Sequence, residues 1–450
     1  MAQSGVAKVQ LIEALKETRA RTLELVDDLN DEQLMGPRLQ IVNPLRWEIG
    51  HLAWFQEYWV LRHLGRQPAI LSYGDELYDS ARVAHDTRWD LPLLERDATL
   101  NYMSHVLERV IEQATSVSHP LRDDGYDHDY FLSLVLLHEQ MHDEAITYTR
   151  QTLSYPPPAI SISATRSQKQ IPVLTQSDTY LTGDVEILGG KFSLGSSSGQ
   201  AFTFDNEQPA HLVEIRPFAI SRTAVSNDEF KHFVEDGGYG RRELWTVEGW
   251  QWRTSVGADH PVYWRREGNS CWLRRNFDEW LALDGRLPAI HINWYEADAY
   301  CRWAARRLPT EVEWEFAASA EPAQEDRGLT FHKRRYPWGD DLPTPERANL
   351  DWCVMGCVPV NTLPAGDSSF GCRQMIGNVW EWTASDFAPY PGFVAGPYKE
   401  YSQPWFGDHK VLRGGCWVTR SRLIHNSYRN FYTPDRRDVW AGFRTCALQT

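Results

Sequence analysis

The 450-residue sequence predicts a multidomain protein of the α and α+β classes, in which a four-helix bundle precedes an irregular α+β domain. The length exceeds the usual size of one hydrophobic core, which favours two domains. Residues 1–153 consist of long amphipathic segments, whereas short β-like runs alternate with Gly, Pro and Trp from about residue 186 onward. Most of the 20 tryptophans lie in this second part, where they predict an aromatic interior.

Four amphipathic segments predict the helices of the first domain, residues 1–153. They cover residues 8–29, 45–64, 96–115 and 134–151. Asn43 is expected to cap the second helix, with Pro44 in its first turn. The third segment carries apolar side chains at helical spacing. Four helices of this length predict a four-helix bundle.

A stretch rich in Pro, Ser and Thr, residues 154–185, is interpreted as the crossing between the domains. The second domain, residues 186–450, is expected to contain few helices. The clearest helical segments are SNDEFKHFVEDGG, NWYEADAYCRWAARR and the shorter PTEVEWEFAAS, and HLVEIRPFAIS predicts strands.

Composition excludes several classes of function. The formal net charge of −15 and the lack of a long basic run argue against binding to nucleic acids or anionic membranes, which require a positive surface. The first residues lack the apolar stretch of a signal peptide, and no run is long enough to span a bilayer, so we expect a cytoplasmic protein. The seven cysteines all follow residue 270, and their odd number argues against a disulfide framework.

Three histidines are candidate metal ligands. His138 and His142 lie one turn apart on the apolar face of the fourth helix, and His51 lies on the equivalent face of the second. A buried imidazole must satisfy both ring nitrogens, so a metal or a polar partner is expected. Three neutral nitrogens suit Fe(II), Zn(II) or Cu, and hydrogen-bonded core histidines are the alternative. Glu139 and Glu144 either orient these ligands or are solvated acids.

Several motifs resemble known families. NPLRWEIGHLAWFQE and LHEQMHDE resemble the DinB-like iron-binding domain of the ergothioneine-biosynthesis sulfoxide synthases. HINWYEADAYCRWAARRLPTEVEWEFAA, YPWGDD, QMIGNVWEWTAS, VLRGGCW and WAGFR resemble the formylglycine-generating-enzyme (sulfatase-modifying factor) domain, a C-type-lectin-like fold. The resemblance implies a DinB-like bundle over residues 1–153 and a C-type-lectin-like domain over residues 186–450.

This resemblance also implies an activity. Enzymes of this kind use Fe(II) and dioxygen to join a thiol sulfur to C2 of the imidazole of hercynine (trimethylhistidine), which gives a sulfoxide. His51, His138 and His142 match their three iron ligands. Tyr398, in YKEYS, matches a catalytic tyrosine that helps to deliver a proton, and aromatic packing is the alternative.

Three further residues match positions of the hercynine pocket. Tyr401 matches a tyrosine near hercynine, and Asn430 and Phe431, in YRNFYTPDRR, match a pair that lines the pocket. Aromatic faces suit a trimethylammonium cation, which supports this assignment. The alternative for Asn430 and Phe431 is a purely structural role.

The donor-binding positions depart from the family pattern. Members that take γ-glutamylcysteine place an Asp after the Arg-Asn-aromatic triplet and an Arg four residues later, whereas here Tyr432 replaces the Asp and Arg436 keeps the Arg. The missing carboxylate removes a partner for the donor's ammonium group, worth about 1.5–3 kcal/mol. Met141 lies between two of the histidines, where a Gln is frequent, and Arg88 matches donor-contacting arginines or forms a surface salt bridge.

Other segments, among them LYDSARVAHDTRWDLPL and GDVEILGGKF, resemble the selenoneine synthase branch, whose donor is a selenosugar. A sugar needs no ammonium partner, so the resemblance favours C–Se bond formation. The alternatives are an ergothioneine-type enzyme with γ-glutamylcysteine or cysteine as donor, a synthase that uses free histidine and cysteine, and a non-catalytic lectin-like binding protein. Formylglycine generation is disfavoured because no cysteine pair follows RGGCW. A structural Ca²⁺ is left open, although acids such as Asp340 and Asp351 are scattered.

Overall fold

The structure, a computed structural model, describes residues 2–116, 126–161, 181–197, 202–268, 271–322 and 329–449. The chain divides into two compact units, Met1–Ser161 and Ile162–Thr450. Most of the predicted crossing, residues 154–185, lies outside the described residues, so the exact domain boundaries stay a prediction. None of the described helices is long and apolar enough to cross a membrane.

The first unit is helical, as predicted. Its helices are α1 (Ala2–Glu24), α2 (Asp31–Met35), α3 (Leu45–Gln56), α4 (Gly74–Tyr78), α5 (Arg96–Ser116) and α6 (His128–Thr152). Both α1 and α3 pack against α5 and α6, which gives the expected bundle of four long helices. The short helices α2 and α4 lie in the connections and were not predicted. Every residue of α3 is buried, because this helix lies in the centre of the bundle.

The helix continues beyond α3 over Glu57–Leu64 with the wider π-helical hydrogen bonding. At its end, the backbone N–H of Gly65 donates to the carbonyl of Val60, five residues earlier, at 3.0 Å. Such widened turns are frequent at functional sites. The predicted second helix, residues 45–64, is therefore one continuous helical segment of two kinds.

The predicted helix cap at Asn43 is wrong. Pro44 directly precedes α3, and no side chain caps the helix there. The Asn43 amide instead donates to Glu48 Oε1 at 2.5 Å and accepts from Arg88. The Asn43 side chain therefore bonds to other side chains and not to the backbone N–H groups at the start of α3.

The second unit consists of short strands and helices, as expected of an irregular α+β domain. Its strands are β1 (Asp184–Ile187), β2 (Gly190–Leu194), β3 (His211–Ile215), β4 (Phe218–Ser221), β5 (Trp264–Glu267), β6 (Cys271–Asn276), β7 (Glu279–Ala282), β8 (Arg306–Arg307), β9 (Ala320–Pro322), β10 (Leu329–Lys333), β11 (Trp380–Asp386), β12 (Lys410–Arg413), β13 (Asn430–Tyr432), β14 (Ala441–Gly442) and β15 (Cys446–Ala447). Its helices are α7 (Asn227–Glu235), α8 (Val247–Val256), α9 (Trp294–Trp303) and α10 (Glu311–Ser319). The sequence predicted α7, α9 and α10 but not α8.

These strands form small sheets around a core rich in tryptophan. The two four-stranded sheets have the orders β1-β4-β15-β8 and β13-β12-β11-β14, β5-β6-β7 form a third sheet, and β2-β3 and β9-β10 form hairpin pairs. Trp314, Trp380, Trp382, Trp417 and Trp440 are buried. All seven cysteines are free thiols.

An ion pair holds the segment that leads into β13. Arg429 is 1% exposed and donates from Nε to Glu311 Oε1, on α10, at 2.6 Å. The ladder between β12 and β13 then pairs Val411 with Phe431 and Leu412 with Asn430. Two of the predicted substrate residues therefore lie on a strand with a fixed register.

Candidate functional site

His51 on α3 and His138 and His142 on α6 form one compact group in the first unit. Each can offer one ligand atom, and these atoms all lie within 4.8 Å of one another. His51 and His138 are buried, and His142 is partly buried. In the part of the chain that the structure describes, these three histidines are the one set of three or more neighbouring His, Cys, Asp or Glu side chains that could hold a metal ion.

Aromatic rings pack against the two buried imidazoles, His51 and His138. Trp47 stacks on His51 with ring centroids 4.7 Å apart, and Phe55 stacks on His138 at 3.5 Å. Burial, together with the neighbouring imidazoles, lowers the pKa of His51 to about 3 and that of His138 well below its usual value. Both imidazoles are therefore neutral near pH 7, which is the form that binds a metal.

A backbone carbonyl orients His51. Its Nδ1 lies 2.7 Å from the carbonyl oxygen of Tyr78, and since a carbonyl only accepts, Nδ1 carries the proton and Nε2 keeps its lone pair. The end of α4 approaches α3 closely because residue 50 is glycine. A Cβ at Gly50 would lie 2.3 Å from the Tyr78 ring, so a side chain there would displace the carbonyl that orients His51.

A carboxylate orients His142, whose Nδ1 donates to Glu48 Oε2. Burial would raise the pKa of Glu48, but His142 and Asn43 lower it to about 2, so the carboxylate is charged. Arg88 Nη1 donates to Asn43 Oδ1 at 2.6 Å, and its guanidinium lies 3.8 Å from the centroid of Trp47. Asn43 and Arg88 therefore connect Glu48, which orients His142, with Trp47, which stacks on His51.

The second unit brings the predicted tyrosines and Phe431 together. Tyr398 and Tyr401 stack with centroids 6.0 Å apart and 19° between their planes, and Tyr401 contacts Phe431 at 5.4 Å. The hydroxyls of Tyr401 and Tyr428 share a hydrogen bond of 3.1 Å. Burial raises the pKa of Tyr401, so its hydroxyl stays protonated at neutral pH.

Further contacts hold Phe431 and Asn430 in place. Phe431 stacks on Phe387 with centroids 3.9 Å apart and 11° between the planes. Asn430 Oδ1 accepts a hydrogen bond from the backbone N–H of Phe431 at 2.8 Å. The resulting aromatic cluster combines partly exposed tyrosines with a rigid, buried base.

Arg436, which was predicted to bind the donor, forms an ion pair within the protein. Arg436 donates to both carboxylate oxygens of Asp438, at 2.7 and 2.6 Å, and Asp438 is 1% exposed. The guanidinium also lies 5.0 Å from the centroid of Tyr432. Asp438 therefore compensates the positive charge of Arg436 within the protein.

The two parts of the chain are similar to different domain families. Residues 14–146 match the DinB superfamily and residues 171–448 match the Sulfatase-modifying factor enzyme 1-like domain. The formylglycine-generating enzyme of Streptomyces coelicolor is 35% identical over 298 residues, covering 59% of this chain and 88% of its own. The hercynine oxygenase of Mycobacterium tuberculosis is 36% identical over 439 residues, covering 97% of this chain and 98% of its own. This chain belongs to the hercynine oxygenase family.

Membership in the hercynine oxygenase family confirms the predicted fold class and identifies the protein as an oxidoreductase rather than a lectin-like binding protein. A second member, from Mycolicibacterium smegmatis, is 34% identical over 447 residues, covering 98% of this chain and 99% of its own. That the chain does not generate formylglycine, because no cysteine pair follows RGGCW, stays a prediction. Cys416 of RGGCW is buried against Thr419, and the next cysteine in the sequence is Cys446.

The structure also gives the positions of the other predicted residues. Arg88 is 8% exposed, so the alternative of a surface salt bridge is wrong. Met141 is partly buried on α6, between two of the histidines in sequence. Glu139 and Glu144 are both buried rather than solvated, and Glu139 pairs with Arg19 at 2.7 Å.

The acids considered for Ca²⁺ bind protein groups instead. Asp340 accepts from the backbone N–H of Arg335 at 2.9 Å, and Asp351 accepts from that of Ser421 at 3.0 Å. In the described part of the chain, neither acid joins a cluster that could hold a metal ion, so the Ca²⁺ expectation finds no support.

Sequence reasoning missed the groups that orient the histidines, namely Glu48, Asn43 and the Tyr78 carbonyl. For Glu48 a signal was available, since it precedes His51 by three residues and so lies on the same face of α3. Asn43 was interpreted as a cap, and a backbone carbonyl leaves no trace in a sequence.

Proposed function

We propose that this protein uses Fe(II) and dioxygen to form a C–Se bond at C2 of the hercynine imidazole, as a selenoneine synthase with a selenosugar donor. The observation that carries the proposal is the group of three imidazoles, His51, His138 and His142, of which two are stacked against aromatic rings and one is bonded to the Glu48 carboxylate. The names of the relatives support hercynine as the acceptor.

The donor set suits iron. Three neutral nitrogens leave coordination positions for small molecules and suit Fe(II), Zn(II) or Cu, and we assign Fe(II) because the relatives are named oxygenases and zinc has no redox chemistry. Because the Nδ1 atoms of His51 and His142 are already engaged, we assign their Nε2 atoms as ligands. Bound iron would supply the activation of dioxygen. In the overall reaction, one oxygen atom of dioxygen leaves as water, which takes up the hydrogen from C2 of hercynine and the hydrogen from the selenol or thiol. The other oxygen atom remains on selenium or sulfur.

We assign the binding of hercynine to the aromatic cluster of the second unit. The faces of Tyr398, Tyr401 and Phe431 suit its trimethylammonium group, an attraction of about 0.5–2 kcal/mol per ring. Asn430 can hydrogen-bond polar atoms of the substrate. We assign proton donation during the reaction to the Tyr398 hydroxyl, because a phenol is protonated near neutral pH and can act as a general acid.

The donor is assigned to the surroundings of Tyr432. A donor such as γ-glutamylcysteine carries an ammonium group and carboxylates, yet Tyr432 offers no charge and Arg436 is already paired with Asp438. Hydroxyl groups of a sugar can bind a tyrosine hydroxyl without a charged partner. The polarizable thioether of Met141 suits a selenium atom. We assign Arg88 an indirect role, since it binds Asn43.

Anaerobic reconstitution tests the proposal. The protein is loaded with Fe(II), mixed with hercynine, exposed to oxygen and analysed by mass spectrometry with four parallel donors: a 1-selenosugar, γ-glutamylcysteine, cysteine and a 1-thiosugar. The expected result is the selenium isotope pattern on a hercynine adduct, strongest with the selenosugar. Product from γ-glutamylcysteine or cysteine alone would identify an ergothioneine-type enzyme instead.

Two controls separate the metal from the acceptor. His138→Ala should remove iron-dependent turnover and iron binding while the helical content stays unchanged. Histidine in place of hercynine should give little product, because it lacks the trimethylammonium group. Equal turnover with histidine would favour a synthase that uses free histidine and cysteine.

A further inference from the structure

The segment that carries Tyr398, residues 396–402 and called here the tyrosine segment, is held by a turn from another part of the second unit. Asp205 lies in that turn, and its carboxylate accepts two hydrogen bonds. Oδ2 accepts from the backbone N–H of Gly396 at 3.0 Å, and Oδ1 accepts from Ser402 Oγ at 2.5 Å. These two donors are the first and last residues of the tyrosine segment, so one carboxylate holds both of its ends.

The residues on either side of Asp205 contact the same region. Asn206 Nδ2 donates to Ser402 Oγ at 3.1 Å, and the Phe204 ring lies 4.7 Å from that of Tyr401. Arg429, directly before β13, donates from Nη1 to the carbonyl of Asn206 at 2.7 Å. The turn therefore links the tyrosine segment with the strand that carries the other residues of the aromatic cluster.

We infer that Asp205 is a positioning residue, which holds Tyr398 in the geometry for proton donation by fastening both ends of the tyrosine segment. The inference rests on the proposed function, because that function assigns the proton to Tyr398. Hydrogen bonds to a carboxylate are stronger than those to a neutral acceptor, and Asp205 accepts from both ends of the tyrosine segment at once. Without the carboxylate, the tyrosine segment would sample more conformations and populate the competent one less.

The test uses Asp205→Ala and Asp205→Asn in the full-length, iron-loaded protein. The alanine variant should lower kcat about 10- to 100-fold, the loss that matches one or two charge-assisted hydrogen bonds. The asparagine variant should be intermediate, because its oxygen replaces one acceptor and its amide group cannot replace the other. Glu229→Gln is the matched control, since Glu229, on α7, accepts from the backbone N–H and the hydroxyl of Ser226, the residue that caps this helix. The kcat of this variant should equal that of the unmodified protein.

Two readouts decide the inference. Hydrogen–deuterium exchange should become faster in residues 396–402 of Asp205→Asn and not in Glu229→Gln, and this measurement needs no turnover. In a Tyr398→Phe background, Asp205→Asn should cause little further loss of kcat, because its effect acts through the missing hydroxyl. Unchanged exchange, or the same fold-loss in both backgrounds, would overturn the inference. A fully active Tyr398→Phe variant would instead contradict the proposed function, and the exchange result would remain interpretable.

Discussion

Glu48 and His142 lie 94 residues apart in the chain and are joined by a hydrogen bond from the imidazole Nδ1 to the carboxylate. This bond connects α3 with α6 and determines which ring nitrogen of His142 is available to a metal. A carboxylate in this position also increases the basicity of the imidazole. The residue that orients the ligand thus comes from the same helix as His51, so α3 contributes both a candidate ligand and its support.

We expect Glu48→Gln to weaken iron binding about 10- to 100-fold, because a neutral amide holds and polarises the imidazole less well. Titration with a competing chelator under anaerobic conditions measures this affinity directly. Asp28→Asn is the matched control: Asp28 pairs with Arg150 in the same unit, through two bonds of 2.7 Å, and is not among the groups around the histidines. Equal affinities for Glu48→Gln and the unmodified protein would contradict the orienting role.

The helices of the first unit and the histidine group could be predicted because both depend on helical periodicity. Residues at spacings of three and four share a face, so the group of His51, His138 and His142 follows once the helices are assigned. The orienting contacts could not be predicted in the same way. Arg88 reaches Asn43 only because the chain between α4 and α5 folds back onto α3, and that depends on tertiary packing.

In the second unit, the motifs predicted the aromatic residues but not the contacts that hold them. Asp205 is about 190 positions away from the segment that it binds, and no periodic pattern connects the two. Helix α8 was missed because its sequence, VEGWQWRTSV, contains Gly and β-branched residues, which lower helix propensity. The Thr246 cap and packing of the helix in the unit override that propensity.

Tyr398→Phe should lower kcat about 100- to 10,000-fold, the range for the loss of a general acid. Because the ring remains, the KM for hercynine should change much less than kcat, and iron affinity should stay the same. Steady-state kinetics at saturating oxygen, together with the chelator titration, measure all three quantities. Tyr336→Phe removes a hydroxyl elsewhere in the second unit and should leave kcat unchanged. A loss confined to KM would mean that Tyr398 only binds substrate.

Asp438→Asn should shift donor preference toward γ-glutamylcysteine. The substitution removes the negative charge and one of the two acceptors that Asp438 offers to Arg436, so the guanidinium becomes available to a donor carboxylate, a gain of about tenfold in relative kcat/KM. Competition between γ-glutamylcysteine and the selenosugar in one reaction measures the ratio of products. Asp367→Asn weakens a similar two-bond ion pair with Arg373 in the same way and should leave that ratio unchanged. The same ratio in both variants would show that Arg436 does not contact the donor.

Glu207→Gln should reduce the pH dependence of stability of the second unit. Burial raises the pKa of Glu207 from its ordinary value of 4.5 to about 8, while the backbone N–H of Phe204 donates to it at 2.9 Å. Between these two values the folded protein holds a proton that the unfolded chain has released, so the free energy of unfolding falls as the pH rises. The slope is at most about 1.4 kcal/mol per pH unit.

Glutamine cannot ionise and keeps the acceptor for Phe204, so this contribution should disappear from pH 5 to pH 8. Urea unfolding at pH 5, 6, 7 and 8, followed by tryptophan fluorescence, measures the slope. Asp284→Asn is the control, because hydrogen bonds from Arg286 outweigh burial and lower the pKa of Asp284 below its ordinary 3.8. The stability from Asp284 is present above pH 3.8 and lost only as the pH falls further, so this variant should keep the unmodified slope. Equal slopes in Glu207→Gln and the unmodified protein would show that Glu207 is ionised in the folded state.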